Sequence, residues 1–241
     1  MLTDRQIELL EYIIREHMTS SEPVGSTFLV EKYNLKYSPA TVRNEMAKLL
    51  DEGFLEMVHT SSGRVPTSRA YRYYLSDLME EEDFPVLQEV AIKQRLWSER
   101  YDFYKLIREV AISLADITKE LSIVTSEGGY VVPAGIGNIL ENKEFWDIDV
   151  AKAAMNLLDR YELLEKVFNS TPSERGNVYC VMGEELGDDN LAACSMLFSP
   201  YRSPKHNGYV AILGPSRMNY QNVIPAVRYT ANLVGELTSA W

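Results

Sequence analysis

The sequence predicts an α+β protein in which an N-terminal winged helix-turn-helix is followed by a long helix and an antiparallel α+β domain. Helix-start signals precede apolar residues at helical spacing three times before residue 53. A short alternating segment and a Ser-Ser-Gly turn come next, and strand-like segments between turn-rich stretches recur after residue 177. With the acidic run at 80–83 as a boundary, we expect the winged helix at 1–80, the long helix at 81–125 and the α+β domain at 126–241.

The first helix begins with a complete start signature. Thr3 is expected as its N-cap and Gln6 as the third helical residue, which together form a capping box. One face of this helix is apolar at helical spacing: Ile7, Leu10, Ile14 and Met18. A turn at 22–26 follows, and Ser26 is expected to cap a short second helix that reaches Tyr33.

The third helix carries the first candidate contacts. Ser38 caps it and Pro39 occupies its first position, where a missing N–H costs nothing. Its inward residues are Val42, Met46 and Leu49, which leaves an outward set of Ala40, Thr41, Arg43, Asn44 and Lys48. We expect Thr41 and Asn44 to read base edges and Ala40 to allow close approach to a thymine methyl group. Arg43 and Lys48 suit either bases or phosphates.

A hairpin is expected directly after this helix. Gly53 ends the helix, 54–58 alternates as a strand, and Thr67 caps a fourth helix. A cation on such a turn can reach a phosphate or the neighbouring minor groove. The candidate contacts of this wing and the following helix are Thr60, Ser61, Ser62, Gly63, Arg64 and Arg72. Two alternatives stay open. In one, the winged helix binds only proteins and no DNA. In the other, Tyr71, Tyr73 and Tyr74 pack between the helix and the wing instead of stacking on bases.

The charge distribution limits how such a surface would act. The net charge is −11, and residues 1–80 carry 9 Lys/Arg against 12 Asp/Glu. Residues 57–76 contain Arg64, Arg69 and Arg72 and no acid. Because neutralised phosphates supply most non-specific affinity for DNA, we expect poor binding to random DNA. Binding would depend on sequence and on two copies of the domain.

The composition is that of an ordinary globular protein, with 46% hydrophobic and 24% charged residues among 241. No apolar run approaches the roughly 20 residues of a membrane span, and the chain opens into an amphipathic helix. We therefore expect no targeting signal, no membrane contact and a cytoplasmic location. Cys180 and Cys194 are expected as small buried hydrophobes in a reducing compartment.

Several motifs resemble those of one family. EPVGS (22–26), SPATVRNEM (38–46), HTSSGRVPT (59–67) and YRYYL (71–75) follow one another in order, and GIGNILENKEF (135–145) and GPSRMNY (214–220) agree further on. This set resembles the HrcA family of bacterial heat-inducible transcription repressors. The resemblance implies a homodimer on an inverted-repeat operator in double-stranded DNA upstream of chaperone genes, with repressor activity maintained by the chaperonin. It places the DNA contacts on the helix from Ser38 to Leu50 and on the wing from Ser61 to Arg64.

One departure from the family is large. Its members usually carry a GAF-like domain interrupted by an inserted dimerisation domain, and they are longer than this chain. Here the segment 121–140 runs almost directly from the long helix into the later part of that region. The insertion is therefore expected to be missing, and the second half is predicted to be a reduced, GAF-like antiparallel α+β domain.

The long helix is expected to run from Pro85 to about Ser122. A seam of coiled-coil type steps along it by four and three: Phe103, Ile107, Val110, Leu114, Ile117 and Leu121. Similar stepping recurs at Val150, Ala154, Leu157, Tyr161, Leu164 and Phe168. Either helix is a candidate for pairing with its copy in a dimer. The candidate dimerisation residues lie on the first of them: Phe103, Ile107, Val110, Leu114 and Ile117. The alternative for both is that they cover a sheet within one chain.

The remaining segments predict a β-sheet and show no pattern of catalytic or metal-binding residues. Strands are expected at 178–182, 192–198 and 209–213, with helices on one face and a final helix that contains Pro225. His17, His59 and His206 are scattered, so neither a metal site nor a cofactor nor an enzyme is expected. Arg217 is expected to brace its turn through hydrogen bonds to carbonyl groups, with anion binding as the alternative. The rival functions are a regulator whose second half senses a small effector and a protein-interaction scaffold.

Overall fold

The computed structural model describes residues 2–57, 63–170 and 173–239. The chain divides into two compact units, residues 1–79 and 80–241.

The first unit consists mainly of helices: α1 (Asp4–Ser20), α2 (Ser26–Tyr33), α3 (Pro39–Asp51) and α4 (Ser68–Tyr73), the last continued by a π-helical turn, Tyr74–Leu78. The predicted capping box of Thr3 and Gln6 is present. The N-cap of α2 is Gly25, so Ser26 is the first helical residue rather than the cap. The core of this unit includes Leu9, Leu10, Ile13, Ile14, Leu29, Val42, Leu49, Tyr71 and Tyr74.

A two-stranded antiparallel sheet joins α3 to α4. It pairs β1 (Leu55–Glu56) with β2 (Val65–Pro66), so that Leu55 lies opposite Pro66. An isolated antiparallel bridge adds Val24, from the turn before α2, to Arg64. The base of the hairpin is thus held from two directions.

The second unit is built on a six-stranded antiparallel sheet with the order β4-β3-β8-β7-β6-β5. Its strands are β3 (Leu121–Ser126), β4 (Tyr130–Ala134), β5 (Ser173–Arg175), β6 (Val178–Met182), β7 (Cys194–Arg202) and β8 (Asn207–Pro215). The three strands expected from the sequence are the neighbours β6, β7 and β8. β3, β4 and β5 were missed.

The prediction of one long helix after Pro85 is wrong. The chain forms α5 (Val86–Ser98) and α6 (Phe103–Thr118), separated by a turn, and then enters β3. The Asp102 carboxylate accepts a hydrogen bond from the Lys105 N–H at 3.2 Å and so starts α6 anew. Lys119 has a left-handed conformation and ends it.

The seam proposed for dimerisation is not open to a second chain. Phe103, Ile107, Val110 and Leu114 are buried within their own chain, and Ile117 is half-buried. α6 packs against β3, β4 and α10 (Tyr220–Ser239), which cover its apolar stripe. The sheet-covering alternative is therefore correct for α6, since an amphipathic helix needs only one apolar surface to bury its stripe.

The other repeated seam also covers the sheet. It is divided between α8 (Ile148–Asp159) and α9 (Tyr161–Phe168), whose buried side chains pack with alternate residues of β3, β6, β7 and β8. Because α6 and α10 pack against the other residues of the same strands, helices lie on both faces of the sheet rather than on one. The short helix α7 (Ile136–Ile139) and a 3₁₀ turn at Lys143–Trp146 connect β4 to α8.

Pro225 lies in the second turn of α10. Cys180 and Cys194 are buried free thiols, as expected. In the part of the chain that the structure describes, no helix is long and apolar enough to cross a membrane.

Candidate nucleic-acid interface

The outward face of α3 is a set of small and polar side chains. The Ser38 hydroxyl accepts a hydrogen bond from the Thr41 N–H at 3.2 Å and caps the helix, with Pro39 in its first turn. Val42, Met46 and Leu49 are buried, and this orientation leaves Ala40, Arg43, Asn44 and Lys48 exposed. The structure thus brings four of the predicted residues together on one surface.

Two predicted residues of α3 are already engaged. The Thr41 hydroxyl lies 3.0 Å from that of Ser38 and belongs to the cap, and its side chain is half-buried. Lys48 Nζ lies 3.1 Å from Oε1 of Glu45, a buried carboxylate that also lies 3.9 Å from Arg5 Nη1. The charge of Lys48 is therefore partly balanced before any ligand arrives.

Arg5 is a contact that the sequence did not point to. Besides its approach to Glu45, its guanidinium lies 4.2 Å from the ring centre of Tyr37, just before the α3 cap. This cation–π contact joins α1 to the start of α3 and holds the outward face in place.

The end of α3 is held by α4. Arg69 Nη1 donates to the Glu52 carbonyl at 2.8 Å, and its guanidinium lies 4.5 Å from the Phe54 ring centre. The Thr67 hydroxyl donates to the Gly53 carbonyl at 2.8 Å. One of the three arginines of the cationic segment therefore closes the helix C-terminus, where basic side chains are favourable.

The hairpin base brings two sequence motifs into contact. Backbone N–H groups of Val24 and Arg64 each donate to the other residue's carbonyl at 2.9 Å. Arg64 is half-buried, with Nη1 at 3.4 Å from the Gly63 carbonyl, and Arg72 is half-buried on α4. The predicted contacts Thr60, Ser61 and Ser62, together with His59, lie outside the described residues.

Behind this face, α1 and α2 are joined by a buried carboxylate. Lys32 Nζ lies 2.6 Å from Glu16 Oε1, and the Tyr33 hydroxyl donates to the same oxygen at 2.7 Å. Burial raises the pKa of Glu16, but the hydrogen bonds from Lys32 and Tyr33 outweigh it and leave that pKa below its ordinary value. Burial, followed by the hydrogen bond to Glu16, raises the pKa of Tyr33.

The three tyrosines of α4 and its continuation pack rather than project. Tyr71 and Tyr74 are buried, and the Tyr71 hydroxyl lies 2.7 Å from Nδ1 of His17 on α1. Tyr73 meets Phe54 edge to face, with ring centres 5.7 Å apart. The packing alternative for these residues is confirmed.

The second unit contains a network of polar and charged side chains around Arg217. Arg217 forms a double contact with Glu144, at 2.8 Å from Nε to Oε1 and 3.1 Å from Nη2 to Oε2, and also donates to Asn142 at 3.0 Å. Asn142 in turn donates to Oε2 of the buried Glu120 at 3.1 Å. The prediction that Arg217 braces its turn through carbonyl groups is therefore wrong for its main partner, because two of these three hydrogen bonds go to the Glu144 carboxylate and the third to the side-chain carbonyl of Asn142.

Burial raises the pKa of Glu120 to about 8, although Arg217 and the hydrogen bond from Asn142 act in the opposite direction. Across 2–57, 63–170 and 173–239, no cluster of three or more His, Cys, Asp or Glu side chains could hold a metal ion.

Comparison with known proteins decides the family. The family model described as the HrcA protein C-terminal domain matches residues 44–224, three quarters of the chain. This chain belongs to the HrcA family. A relative from Pelotomaculum thermopropionicum, named heat-inducible transcription repressor HrcA, is 26% identical over 334 aligned positions that cover 96% of both chains. One from Clostridium tetani with the same name is 42% identical over 123 residues, which are 51% of this chain and 35% of that protein.

This HrcA-family chain is shorter than its relative. The alignment with the P. thermopropionicum protein has 334 positions, of which this chain of 241 residues can fill no more than 241. At least 93 positions of that relative therefore have no counterpart here, in agreement with the expected loss of an insertion. A solved structure of a hypothetical protein at 2.2 Å resolution is similar over 100% of this chain and 99% of that one, with a TM-score of 0.77 and 16% identity. That likeness concerns the fold.

Proposed function

We propose that this chain is a heat-inducible transcription repressor whose first unit is a winged helix-turn-helix that binds double-stranded DNA. The observation that carries the proposal is the exposed face of α3, where Ala40, Arg43 and Asn44 stand together beside a hairpin. A helix of 13 residues is about 20 Å long and fits the major groove. Family membership supports the same function.

The chemistry of this face suits direct readout. Asn44 has both a donor and an acceptor and can pair with the N6 and N7 atoms of adenine. The side chain of Ala40 is a single methyl group, too small to hold the helix away from a base edge, so it permits contact with a thymine methyl group. Arg43 is exposed and forms no hydrogen bond or ion pair with the described residues, and it can bind guanine or phosphate.

Contacts within the first unit hold α3 and the hairpin in fixed positions before DNA binds. α3 is braced at its start by Arg5 and Tyr37 and at its end by Arg69, so little order has to be gained when DNA binds. The hairpin base, through Gly63 and Arg64, is tied to the turn before α2. We propose that the predicted wing contacts at 60–64 and Arg72 act against the DNA backbone next to the helix.

We propose that the protein acts as a homodimer on an inverted repeat. One helix reads too few bases to specify a site in a genome, and two half-sites multiply the discrimination. The net charge of −11 strengthens this need, because the acidic chain has little non-specific affinity. By resemblance, the operator lies upstream of chaperone genes, the chaperonin maintains the active form, and the protein acts in the cytoplasm.

Fluorescence anisotropy on a palindromic operator of chaperone genes tests the proposal. At physiological salt we expect binding to the operator at least about 1,000-fold tighter than to a scrambled duplex of equal length. Equal affinity for the two duplexes would exclude sequence-specific repression. Binding to neither would favour the protein-interaction alternative.

A further inference from the structure

Helix α5 is apolar on two opposite sides. Ile92 and Leu96 face inward and are buried. At 100° per residue, Leu87, Val90 and Trp97 lie on the other side of the helix, and all three are exposed. Leu87 is 86% exposed and Trp97 52%. A helix with one partner has one apolar stripe, so the second stripe of α5 requires an explanation.

The spacing of the outer stripe is regular. Leu87, Val90, Gln94 and Trp97 follow one another by three, four and three residues, as the a and d positions of a coiled coil do. Gln94 is exposed at the centre of the stripe. A single polar residue at such a position sets the register and orientation of a helix pair.

An aromatic side chain extends the stripe beyond the end of α5. Tyr101 is 79% exposed in the following turn. The Arg100 guanidinium lies 4.4 Å from the Trp97 ring centre and 4.3 Å from that of Tyr101, which orders the cluster. Trp, Tyr and Arg are the residues that carry the most binding energy in protein interfaces.

The area of this surface matches a dimer interface. The exposed parts of Val86, Leu87, Val90, Trp97 and Tyr101 together amount to roughly 600 Å². A stable interface buries about 800 Å² on each partner, so these side chains alone supply most of what is needed. Apolar surface of this extent on one face marks an interaction site.

The charges at the two ends of α5 favour an antiparallel pair. Before its start, residues 80–83 are all acidic, and only Glu81 is bound by arginines of its own unit, Arg228 and Arg175. After its end, the segment 99–105 has charges that cancel, from Glu99, Arg100, Asp102 and Lys105, and Lys105 Nζ lies 3.3 Å from Asp102 Oδ2. Antiparallel pairing places the acidic end of each helix beside the neutral end of the other, whereas parallel pairing places the two acidic ends together, where they repel.

We propose that the outer stripe of α5 is the homodimer interface of this chain, with two α5 helices paired antiparallel about Gln94. Leu87 and Val90 of each copy then pack against Trp97 and Tyr101 of the other, and Gln94 meets its own copy. This interface takes the place of the inserted dimerisation domain that we expect to be missing and of the seam on α6 that its own sheet covers. It rests on the proposed dimeric function but is tested without DNA.

Sedimentation equilibrium of the full chain measures the assembly. We expect the unaltered protein to be dimeric at micromolar concentration and Leu87→Glu to raise the dimer dissociation constant at least about thirtyfold. A glutamate in the first turn of α5 is compatible with the helix, so the fold should survive. Ile148→Glu is the matched control, because this aliphatic residue is 63% exposed in the first turn of α8. It should leave the dimer intact.

Cross-linking tests the orientation. Antiparallel pairing about residue 94 places position 90 of one chain opposite position 98 of the other. When Val90→Cys and Ser98→Cys chains are mixed and oxidised, a disulfide between the two different chains should therefore form faster than one between two identical chains. The native Cys180 and Cys194 are buried and should not compete. Preferred pairing of the Val90→Cys chain with itself would overturn the antiparallel arrangement.

A monomeric unaltered protein, or a dimer unaffected by Leu87→Glu, would overturn the interface. These outcomes are separate from failure of the proposed function. If the interface is right, the monomeric Leu87→Glu protein still binds a single half-site as well as the unaltered protein does and loses only its preference for the paired half-sites. A dimer that binds no DNA would reject the repressor function and retain the interface.

Discussion

Gly63 lies directly against the backbone of Val24. A Cβ atom at position 63 would come within 2.4 Å of both the carbonyl carbon and the oxygen of Val24, closer than any real contact of that kind. The next residue, Arg64, forms two backbone hydrogen bonds with Val24 at 2.9 Å. Any larger residue at position 63 would clash with Val24, so glycine is required there. The turn before α2 and the base of the hairpin therefore pack together as one unit.

Gly63→Ala should disrupt the packing of the hairpin base against Val24. The added methyl group must push the two segments apart, which we expect to cost about 1–3 kcal/mol of the free energy of unfolding and to weaken operator binding. Urea denaturation of the full chain and anisotropy on the operator measure the two effects. Gly25→Ala is the control, since nothing lies within 4 Å of its added Cβ atom. Equal stability of the two variants would show that the contact is not needed.

Asn44→Ala and Arg64→Ala should affect DNA binding differently. Asn44 is exposed on α3, and its loss should lower discrimination at one base pair by about 1–3 kcal/mol. Loss of the Arg64 guanidinium at the hairpin should weaken binding to every sequence and reduce the salt slope by about one. Anisotropy against a set of single-base operator variants at several salt concentrations separates these effects. A uniform loss from both changes would contradict the assignment.

Arg217→Met should destabilise the second unit. The side chains of Arg217 and Glu144 are only 14% and 18% exposed, so the change leaves a carboxylate without its cation in a largely dry place. We expect a loss of about 2 kcal/mol. Arg95→Met removes a similar pair with Asp116, but those side chains are 47% and 56% exposed, and a loss below about 1 kcal/mol is expected. Denaturant midpoints compare the two, and equal losses would show that the network is not special.

Glu120 should make stability depend on pH. The folded protein holds the Glu120 proton up to about pH 8, whereas the unfolded chain releases it near 4.5. The folded state therefore binds more protons between these values, and the contribution of Glu120 is full below pH 4.5 and is lost as pH rises through 8.

Glu120→Gln keeps an amide oxygen for the Asn142 donor and removes the titration. We expect this variant to unfold at higher urea concentration than the unaltered protein above pH 8, with a smaller difference near pH 5. Urea midpoints from pH 5 to 9 measure this. A constant difference over that range would contradict the assignment.

Local signals in the sequence predicted the first unit best. The Thr3 capping box, the Ser38 cap with Pro39 and the glycine end of α3 depend on residues within a few positions of one another. The orientation of α3 also followed from spacing, because burial of Val42, Met46 and Leu49 leaves only one face outward. The candidate contacts on that face were therefore accessible to sequence reasoning, whereas Arg5 and Arg69 were not, because their partners are distant in the chain.

The second unit shows where such reasoning failed. The stepping of apolar residues through Leu121 looked like one helix, but Asp102 restarts a helix and Leu121 begins a buried strand. A strand buried on both faces, such as β3, has no alternation to distinguish it from a helix. The same limit made Phe103 and Ile107 resemble a dimer seam.

The sequence by itself determined the family and the local start and end of the N-terminal helices, because these depend on short motifs and on caps. Only the tertiary structure decided which apolar stripe is covered. The stripe on α6 meets the sheet of its own chain, whereas the stripe from Leu87 to Trp97 on α5 meets solvent. Periodicity reports that a face is apolar, but burial depends on what folding brings to that face from elsewhere in the chain.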